Sequence, residues 1–99
     1  MLSEKEMIEQ IANAFAKLEE KDERVSKIYS SNLIDNIIAA AKSIDALDIP
    51  YKLGDQFMLW GAYLIHDPSV PKNIIRVSSD TGYSFDFKIK ESENAEIEL

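Results

Sequence analysis

The sequence predicts an α+β fold, in which an N-terminal αα-hairpin packs on one face of a three- to five-stranded antiparallel β-sheet. Three patterns lead to this prediction: helical periodicity in the first half, two-residue alternation near the end, and seven of the nine aromatic residues between positions 51 and 87. A chain of 99 residues is close to the usual size of one domain. We therefore expect a single domain over 1–99, with a helical half (1–48) and a sheet half (49–99).

The first helix is expected from Glu4 to about Lys21. Ser3 and Glu6 have the spacing of a capping box, in which each side chain accepts a hydrogen bond from the other residue's backbone N–H. The apolar residues that follow recur at steps of three and four and form one stripe: Met7, Ile8, Ile11, Phe15 and Leu18. The charged segment 19–24 has no apolar anchor and is typical of a solvated helix end or connector.

A second helix is expected to end before Pro50, because a proline disfavours the helical conformation in the residue before it. Its broad apolar face consists of Leu33, Ile34, Ile37, Ile38, Ala41, Ile44 and Leu47. Asn32 and Asp35 form a weak capping pair, although Val25, Ile28 and Tyr29 leave open an earlier start of this helix.

The C-terminal half reads as a series of strands. A short edge strand is expected at 51–53 and a longer strand at 73–78, followed by a turn over 79–82 in which Gly82 can adopt the positive φ of a tight hairpin. From 83 to 90 apolar and polar residues alternate, which predicts one buried and one solvated face. The segment 91–99 is either a turn into a last short strand or a frayed acidic end.

The longest apolar run, 57–65, contains the only tryptophan and no charge. We interpret it as a strand because its aromatic residues favour β-structure and Gly61 disfavours a helix, although 56–66 could also be framed as a helix. As a single strand, the run would place Met58, Trp60 and Leu64 on one face. Since two helices can cover only one side of a sheet, these three residues are predicted to form an exposed apolar patch.

The patch and its charged rim carry the functional prediction. The residues expected to surround Met58, Trp60 and Leu64 are Arg76, Asp86, Lys88 and Lys90. An apolar centre with a charged rim is typical of a protein–protein interface. Alternatively, the 67–72 loop or the C-terminal segment folds over the patch. The set of predicted partner-binding residues is Met58, Trp60, Leu64, Arg76, Asp86 and Lys88.

Composition excludes several classes of function. The chain has no cysteine, which excludes disulfides, thiol nucleophiles and Cys-based metal sites. A net charge of −7 without a clustered basic face disfavours direct binding of nucleic acid. The N-terminus lacks a secretory signal and no apolar run is long enough to span a bilayer, so we expect a cytoplasmic protein without a membrane partner.

No catalytic, cofactor or metal motif is predicted, so we expect no cofactor and no enzyme activity. The best hypothesis is a small acidic binding module that docks a basic partner, such as a nuclease or a nucleic-acid-handling complex, as an inhibitor, immunity or anti-defence protein, or as an adaptor. A second hypothesis is a homodimeric structural or chaperone-like subunit with Trp60 at the two-fold interface. A third is a ligand-binding domain or enzyme that uses His66 in a pocket lined by Trp60, Tyr63 and Tyr83.

Overall fold

The computed structural model describes residues 3–45, 47–48 and 57–89. They form two helices on a mixed, mostly antiparallel sheet, which confirms the α+β class. The elements in chain order are α1 (Glu4–Glu19), β1 (Val25–Ser30), α2 (Ile34–Ser43), β2 (Leu47–Asp48), β3 (Met58–Leu59), β4 (Ala62–His66), β5 (Ile74–Ser79) and β6 (Ser84–Lys88). The strand order across the sheet is β2-β3-β4-β1-β5-β6. Of the strand pairs formed by the described residues, only β1–β4 is parallel.

Helix α1 begins as its sequence predicts. The Ser3 hydroxyl accepts a hydrogen bond from the Glu6 N–H at 3.1 Å, and the Ser3 N–H donates to the Glu6 carboxylate at 2.9 Å. After the helix, Asp22 takes a positive φ of 60° and the chain turns into β1. The buried residues of α1 are Met7, Ile11, Ala14 and Leu18, so the predicted apolar stripe is the side that faces the core.

The segment 25–30 is a strand, and the earlier helix start considered at Val25 is wrong. Val25 and Ile28 are β-branched and fully buried, and such side chains pack well on a pleated surface. Strand β1 lies at the centre of the sheet, hydrogen-bonded to β4 on one side and to β5 on the other. The two helices pack against each other as expected, but a central strand separates them along the chain.

The start of α2 is set by Ser30 rather than by Asn32. The buried Ser30 hydroxyl accepts a hydrogen bond from the Leu33 N–H at 2.9 Å. The Asn32 side chain instead joins the β5 side of the molecule, where its amide oxygen accepts from the Asn73 N–H at 2.9 Å. The expected capping pair of Asn32 with Asp35 is therefore wrong, and Leu47, expected in the helix, lies in β2.

The apolar run 57–65 is β-structure, as favoured, but it is a hairpin rather than one strand. Leu59 pairs with Ala62 across a two-residue turn, in which Trp60 has a φ of 51° and Gly61 a φ of 84°. Two positive φ values in a two-residue loop are the signature of a type I′ turn. Glycine adopts this conformation freely, whereas tryptophan does so at a cost in backbone energy.

The core lies between the helices and one side of the sheet. One row of side chains crosses the four long strands in register, as Leu64, Ile28, Val77 and Phe85. The first three are at most 6% exposed, whereas Phe85 on the edge strand is half-buried. The predicted turn at 79–82 and the alternation of β6 are confirmed. The strand expected at 51–53, the rim residue Lys90 and the segment 91–99 lie outside the described residues.

Candidate functional site: the open face of the sheet

We call the side of the sheet opposite the helices the open face. No helix or strand of the described residues packs on this side, because α1 and α2 both lie against the other one. The cross-strand register arranges the side chains of the open face in two rows. Within a row, successive residues lie opposite each other on adjacent strands. The first row is Met58, Tyr63, Lys27, Ser78 and Ser84, and the second is Ile65, Tyr29, Arg76 and Asp86.

The open face changes in character from one edge to the other. Its apolar and aromatic part, over β3, β4 and β1, contains Met58, Tyr63, Ile65 and Tyr29, all of them half-buried. Met58 and Ile65 do not belong to the apolar residues packed against the core. Lys27 on β1 borders this part, and the remainder, over β5 and β6, is mostly polar and charged, with Ile74 opposite Lys88 as its apolar residue. The face therefore combines an aromatic area with a charged margin, which is the composition of many protein interfaces.

Arg76 and Asp86 form a two-point ion pair within the charged margin. The Arg76 Nε donates to one Asp86 carboxylate oxygen at 2.7 Å and an Nη donates to the other at 3.0 Å. The hydrogen bond and the negative charge of Asp86 raise the pKa of Arg76 above its ordinary value. Because both groups are partly exposed, at 36% and 44%, the pair orients the two side chains more than it stabilises the fold.

A shallow concavity of about 330 Å³ lies beside this ion pair. It is lined by Tyr29, Asp67, Arg76, Ser78 and Ser84. The Ser69 hydroxyl and N–H both donate to the Asp67 carboxylate, at 2.7 and 2.9 Å, and these bonds hold the pKa of Asp67 below its ordinary value. The concavity therefore brings together the side chains of a tyrosine, an arginine and an aspartate.

Four of the six predicted partner-binding residues share the open face. Met58, Arg76 and Asp86 lie in its two rows, and Lys88 lies opposite Ile74 at its edge. Leu64 does not: it is 6% exposed, pairs with the buried Ile28, and belongs to the core. The expectation that Leu64 is exposed beside Met58 is wrong because the turn after Leu59 reverses the chain. In the hairpin, Met58 shares a face with Tyr63 instead.

Trp60 lies in the turn and contacts α1, away from the open face. Its ring meets that of Phe15 edge to face, with centroids 5.4 Å apart and planes at 84°. It is 39% exposed and lines a concavity of about 410 Å³ with Phe15, Glu19 and Arg24. The expectation of one patch with Trp60 at its centre is therefore wrong, although a role of Trp60 in binding stays a prediction.

The pocket expected around His66, with Trp60, Tyr63 and Tyr83 as its lining, is not formed. His66 is exposed at the end of β4, at the opposite end of that strand from the Trp60 turn. Tyr63 lies on the open face, and Tyr83 adjoins β6, which is separated from β4 by β1 and β5. With strands about 4.8 Å apart, this places Tyr83 roughly 14 Å from β4. The described residues contain no group of three acidic or histidine side chains suited to a metal ion.

The 67–72 loop, considered as a cover for the Trp60 side, lies at the end of the sheet. The Asp67 N–H donates to the Ser30 carbonyl at 2.9 Å, and Asp67 borders the open face without crossing it.

Sequence reasoning missed Lys27, Tyr29, Tyr63 and Ile65 as members of the open face. No alternation of apolar and polar residues marks the β1 members, because Lys27, Ile28, Tyr29 and Ser30 follow each other without one.

Neither of the two helices in the described part of the chain is long and apolar enough to cross a membrane. Function has to be inferred from the open face, the Trp60 concavity and the strand edges. Comparison with protein families, with characterised proteins and with solved structures found no match to this chain.

Proposed function

We propose that this protein is a small, non-catalytic binding module of the cytoplasm, which docks a partner protein on its open face. The observation that carries the proposal is the row Ile65–Tyr29–Arg76–Asp86, which joins an apolar, an aromatic and a charged contact in one line across four strands. Tyrosine and arginine are enriched at binding hot spots, because each combines a large contact area with hydrogen-bond donors.

The aromatic part of the face supports docking of a protein. Tyr29 and Tyr63 lie on neighbouring strands, in register with Ile65 and Met58 respectively. Their phenol groups can remain hydrogen-bonded at an interface while the rings bury apolar area. A partner that covers these four side chains would remove more apolar surface from water than one that binds the charged margin.

The charge of the chain supports a basic partner. Acidic side chains dominate the net charge of −7, and several of them lie on or just after α1, on the other side of the sheet. The open face itself carries three basic side chains, Lys27, Arg76 and Lys88, beside Asp86. Direct contacts on this face therefore do not by themselves favour a basic partner protein. Attraction of a basic partner, such as a nuclease or a nucleic-acid-handling complex, would act through the long-range field and mainly raise the association rate. Inhibitor, immunity, anti-defence and adaptor roles all agree with this mode.

The experiment compares two tyrosine substitutions. Tyr63→Asp places a charge in the aromatic part of the open face, whereas Tyr83→Asp makes the same chemical change at a 41% exposed position beside β6, where Lys21 lies over the ring. Each variant and the wild type are used as bait in cell extracts, bound proteins are quantified by mass spectrometry, and circular dichroism verifies the fold. The enriched partner is then purified for calorimetry at low and high salt.

We expect Tyr63→Asp to weaken binding by at least tenfold and Tyr83→Asp to leave it within about twofold, because a central aromatic contact contributes 2 kcal/mol or more. A basic partner should also bind more weakly at high salt. Equal binding by folded Tyr63→Asp and wild type would refute docking on the open face. A partner whose affinity is independent of salt would contradict the electrostatic part of the proposal.

A further inference from the structure

Among the described residues, strand β6 is the edge of the sheet, and half of its backbone groups point away from β5. The Ile89 N–H donates to the Asn73 carbonyl at 2.9 Å, and the Ser79 N–H donates to the Tyr83 carbonyl at 2.8 Å. In an antiparallel ladder these bonds recur at every second residue. The odd-numbered residues of β6 therefore bond to β5, whereas the N–H and C=O groups of Ser84, Asp86 and Lys88 point outward. Such an edge is a template for a further strand.

We propose that two copies of this chain pair through β6 as antiparallel strands in a symmetric dimer, with Phe87 on the two-fold axis. In this register Phe87 lies opposite the partner's Phe87, and Asp86 lies opposite the partner's Lys88. Phe85 lies opposite the partner's Ile89. Because a two-fold axis repeats every contact, each of the last two pairs occurs twice.

The charges of Asp86 and Lys88 favour this register over those centred on Asp86 or Phe85. Asp86 already accepts two hydrogen bonds from Arg76, so the partner's Lys88 would complete a line of positive, negative and positive charges across the new edge. A register centred on Asp86 would place two aspartates opposite each other, which is destabilising. A register centred on Phe85 would place Asp86 opposite the partner's Ser84 and leave both charges unmatched.

The backbone geometry agrees with the same register. Asp86 and the partner's Lys88 both have outward-pointing N–H and C=O groups, so they can exchange two hydrogen bonds, and the symmetry doubles this number. Phe87, whose backbone groups point to β5, then occupies a non-hydrogen-bonded position, where opposite side chains come closest. Aromatic pairs at such positions stabilise a sheet.

The helix-side face of β6 supplies apolar surface to the pairing. Phe85 and Phe87 are half-buried and stack with centroids 6.1 Å apart, and the Lys17 ammonium lies 5.3 Å from the centre of the Phe85 ring. A concavity of about 290 Å³ lies between α1 and these two rings. The partner's Phe87 and Ile89 would lie beside it and cover apolar area that a single copy leaves in water.

This inference does not depend on the proposed function. Pairing through β6 leaves Tyr29, Tyr63 and Met58 uncovered, and it would place the open faces of the two copies side by side in one extended sheet. The contact also differs from a dimer formed around Trp60, since Trp60 lies near the other edge of the sheet.

Cysteine cross-linking tests the register directly, because the chain contains no cysteine of its own. In the proposed dimer only position 87 faces itself, with Cα atoms about 4.5 Å apart, which is within the range of a disulfide. We expect Phe87→Cys to form a covalent dimer under mild oxidation, and Phe85→Cys, the matched control, to remain uncross-linked at the same protein concentration. Efficient cross-linking at position 85 and not at 87 would overturn the register.

Charge-reversal variants of Asp86 and Lys88 test the same contact without introducing a cysteine. Lys88→Asp places like charges at both cross-strand pairs, and we expect it to raise the dimer dissociation constant about tenfold in analytical ultracentrifugation. Asp86→Lys should do the same, although it also removes the partner of Arg76. An equimolar mixture of the two folded variants should form a heterodimer, since each charge again meets its opposite. Unchanged dimerisation by Lys88→Asp would overturn the proposal. A wild type that stays monomeric at about 1 mM would also do so, because Asp86 and Lys88 would then protect the edge from pairing.

Discussion

Replacement of Ile28 by alanine tests the central position of β1. Ile28 is fully buried, lies opposite Leu64 on β4 and Val77 on β5, and is enclosed from above by the helix layer. The substitution removes three carbon atoms from a packed site. At about 0.8 kcal/mol for each, the lost transfer free energy is about 2.4 kcal/mol. The cavity left in a strand held on both sides adds to this, and we expect a total loss of about 3–4 kcal/mol.

This loss is a large fraction of the roughly 5–10 kcal/mol that stabilises a domain of this size. It should lower the melting temperature by about 15 °C, because 1 kcal/mol corresponds to at least about 4 °C in a domain of this length. The measurement is urea unfolding followed by circular dichroism and tryptophan fluorescence, with the melting temperature from calorimetry. Coincident transitions from the two optical signals would establish that unfolding is two-state.

Two variants serve as controls for Ile28→Ala. Ile28→Val keeps the β-branched shape and should cost about 0.5–1.5 kcal/mol. Ile44→Ala makes the same chemical change at a residue that is 45% exposed after α2, and should cost less than about 1 kcal/mol. If Ile28→Ala cost no more than Ile44→Ala, the placement of β1 in the core would be wrong. A solvated helix over 25–30 would give that result, since alanine is the better helix former.

Three further predictions concern local structure. Gly61→Ala should lower the free energy of unfolding in urea by about 1 kcal/mol, because a side chain is strained at a φ of 84°. Space is not the reason, since the nearest atom, Arg24 Nη2, would be at an ordinary contact distance of 3.8 Å. Ser30→Ala should lose about 1–2 kcal/mol by the same measurement, because the buried Leu33 N–H would lose its acceptor; an unchanged midpoint would refute this role of the hydroxyl. Thr81→Val should raise the pKa of Glu23 towards its ordinary value in an NMR titration, because the Thr81 hydroxyl, which donates to that carboxylate, is the main cause of its lowered pKa. Because the pKa of Glu23 is lower in the folded than in the unfolded state, the stabilising effect of this carboxylate is present above the unfolded-state pKa near 4.5. It is lost as the pH falls through the folded-state pKa. Equal pKa values of Glu23 in the wild type and in Thr81→Val would contradict this role of the Thr81 hydroxyl.

Local sequence was sufficient for the elements whose signals come from neighbouring residues. The capping box of Ser3 and Glu6 and the apolar stripe of α1 involve residues within one or two helical turns, so pattern and structure agree. The turn at 79–82 and the alternation in β6 are local as well. The α+β class followed from these elements, since a one-sided helix and an alternating strand each need an apolar surface to cover.

The candidate site could be predicted only in part, for two identifiable reasons. Segment 25–30 is short, and Val25 and Ile28 are three residues apart, which is a helical spacing. In the strand both are buried because the register shifts between Val25 and Lys27. Periodicity alone therefore did not recognise the strand that contributes Lys27 and Tyr29 to the open face. In the run 57–65, Trp60-Gly61 lacks the asparagine or aspartate that usually marks a type I′ turn. Without that turn, the side-chain directions after Leu59 were assigned to the wrong faces.

The sequence by itself determined that this chain is acidic and folds as α+β, that β6 has an apolar and a polar side, and that Met58, Arg76, Asp86 and Lys88 lie outside the core. Tertiary structure decided that β1 enters the middle of the sheet, that Leu64 is buried and Trp60 is directed to α1, and which backbone groups of β6 point away from β5. The physical reason is that side-chain direction along one strand alternates with residue number, whereas strand order and register depend on contacts between segments far apart in the chain.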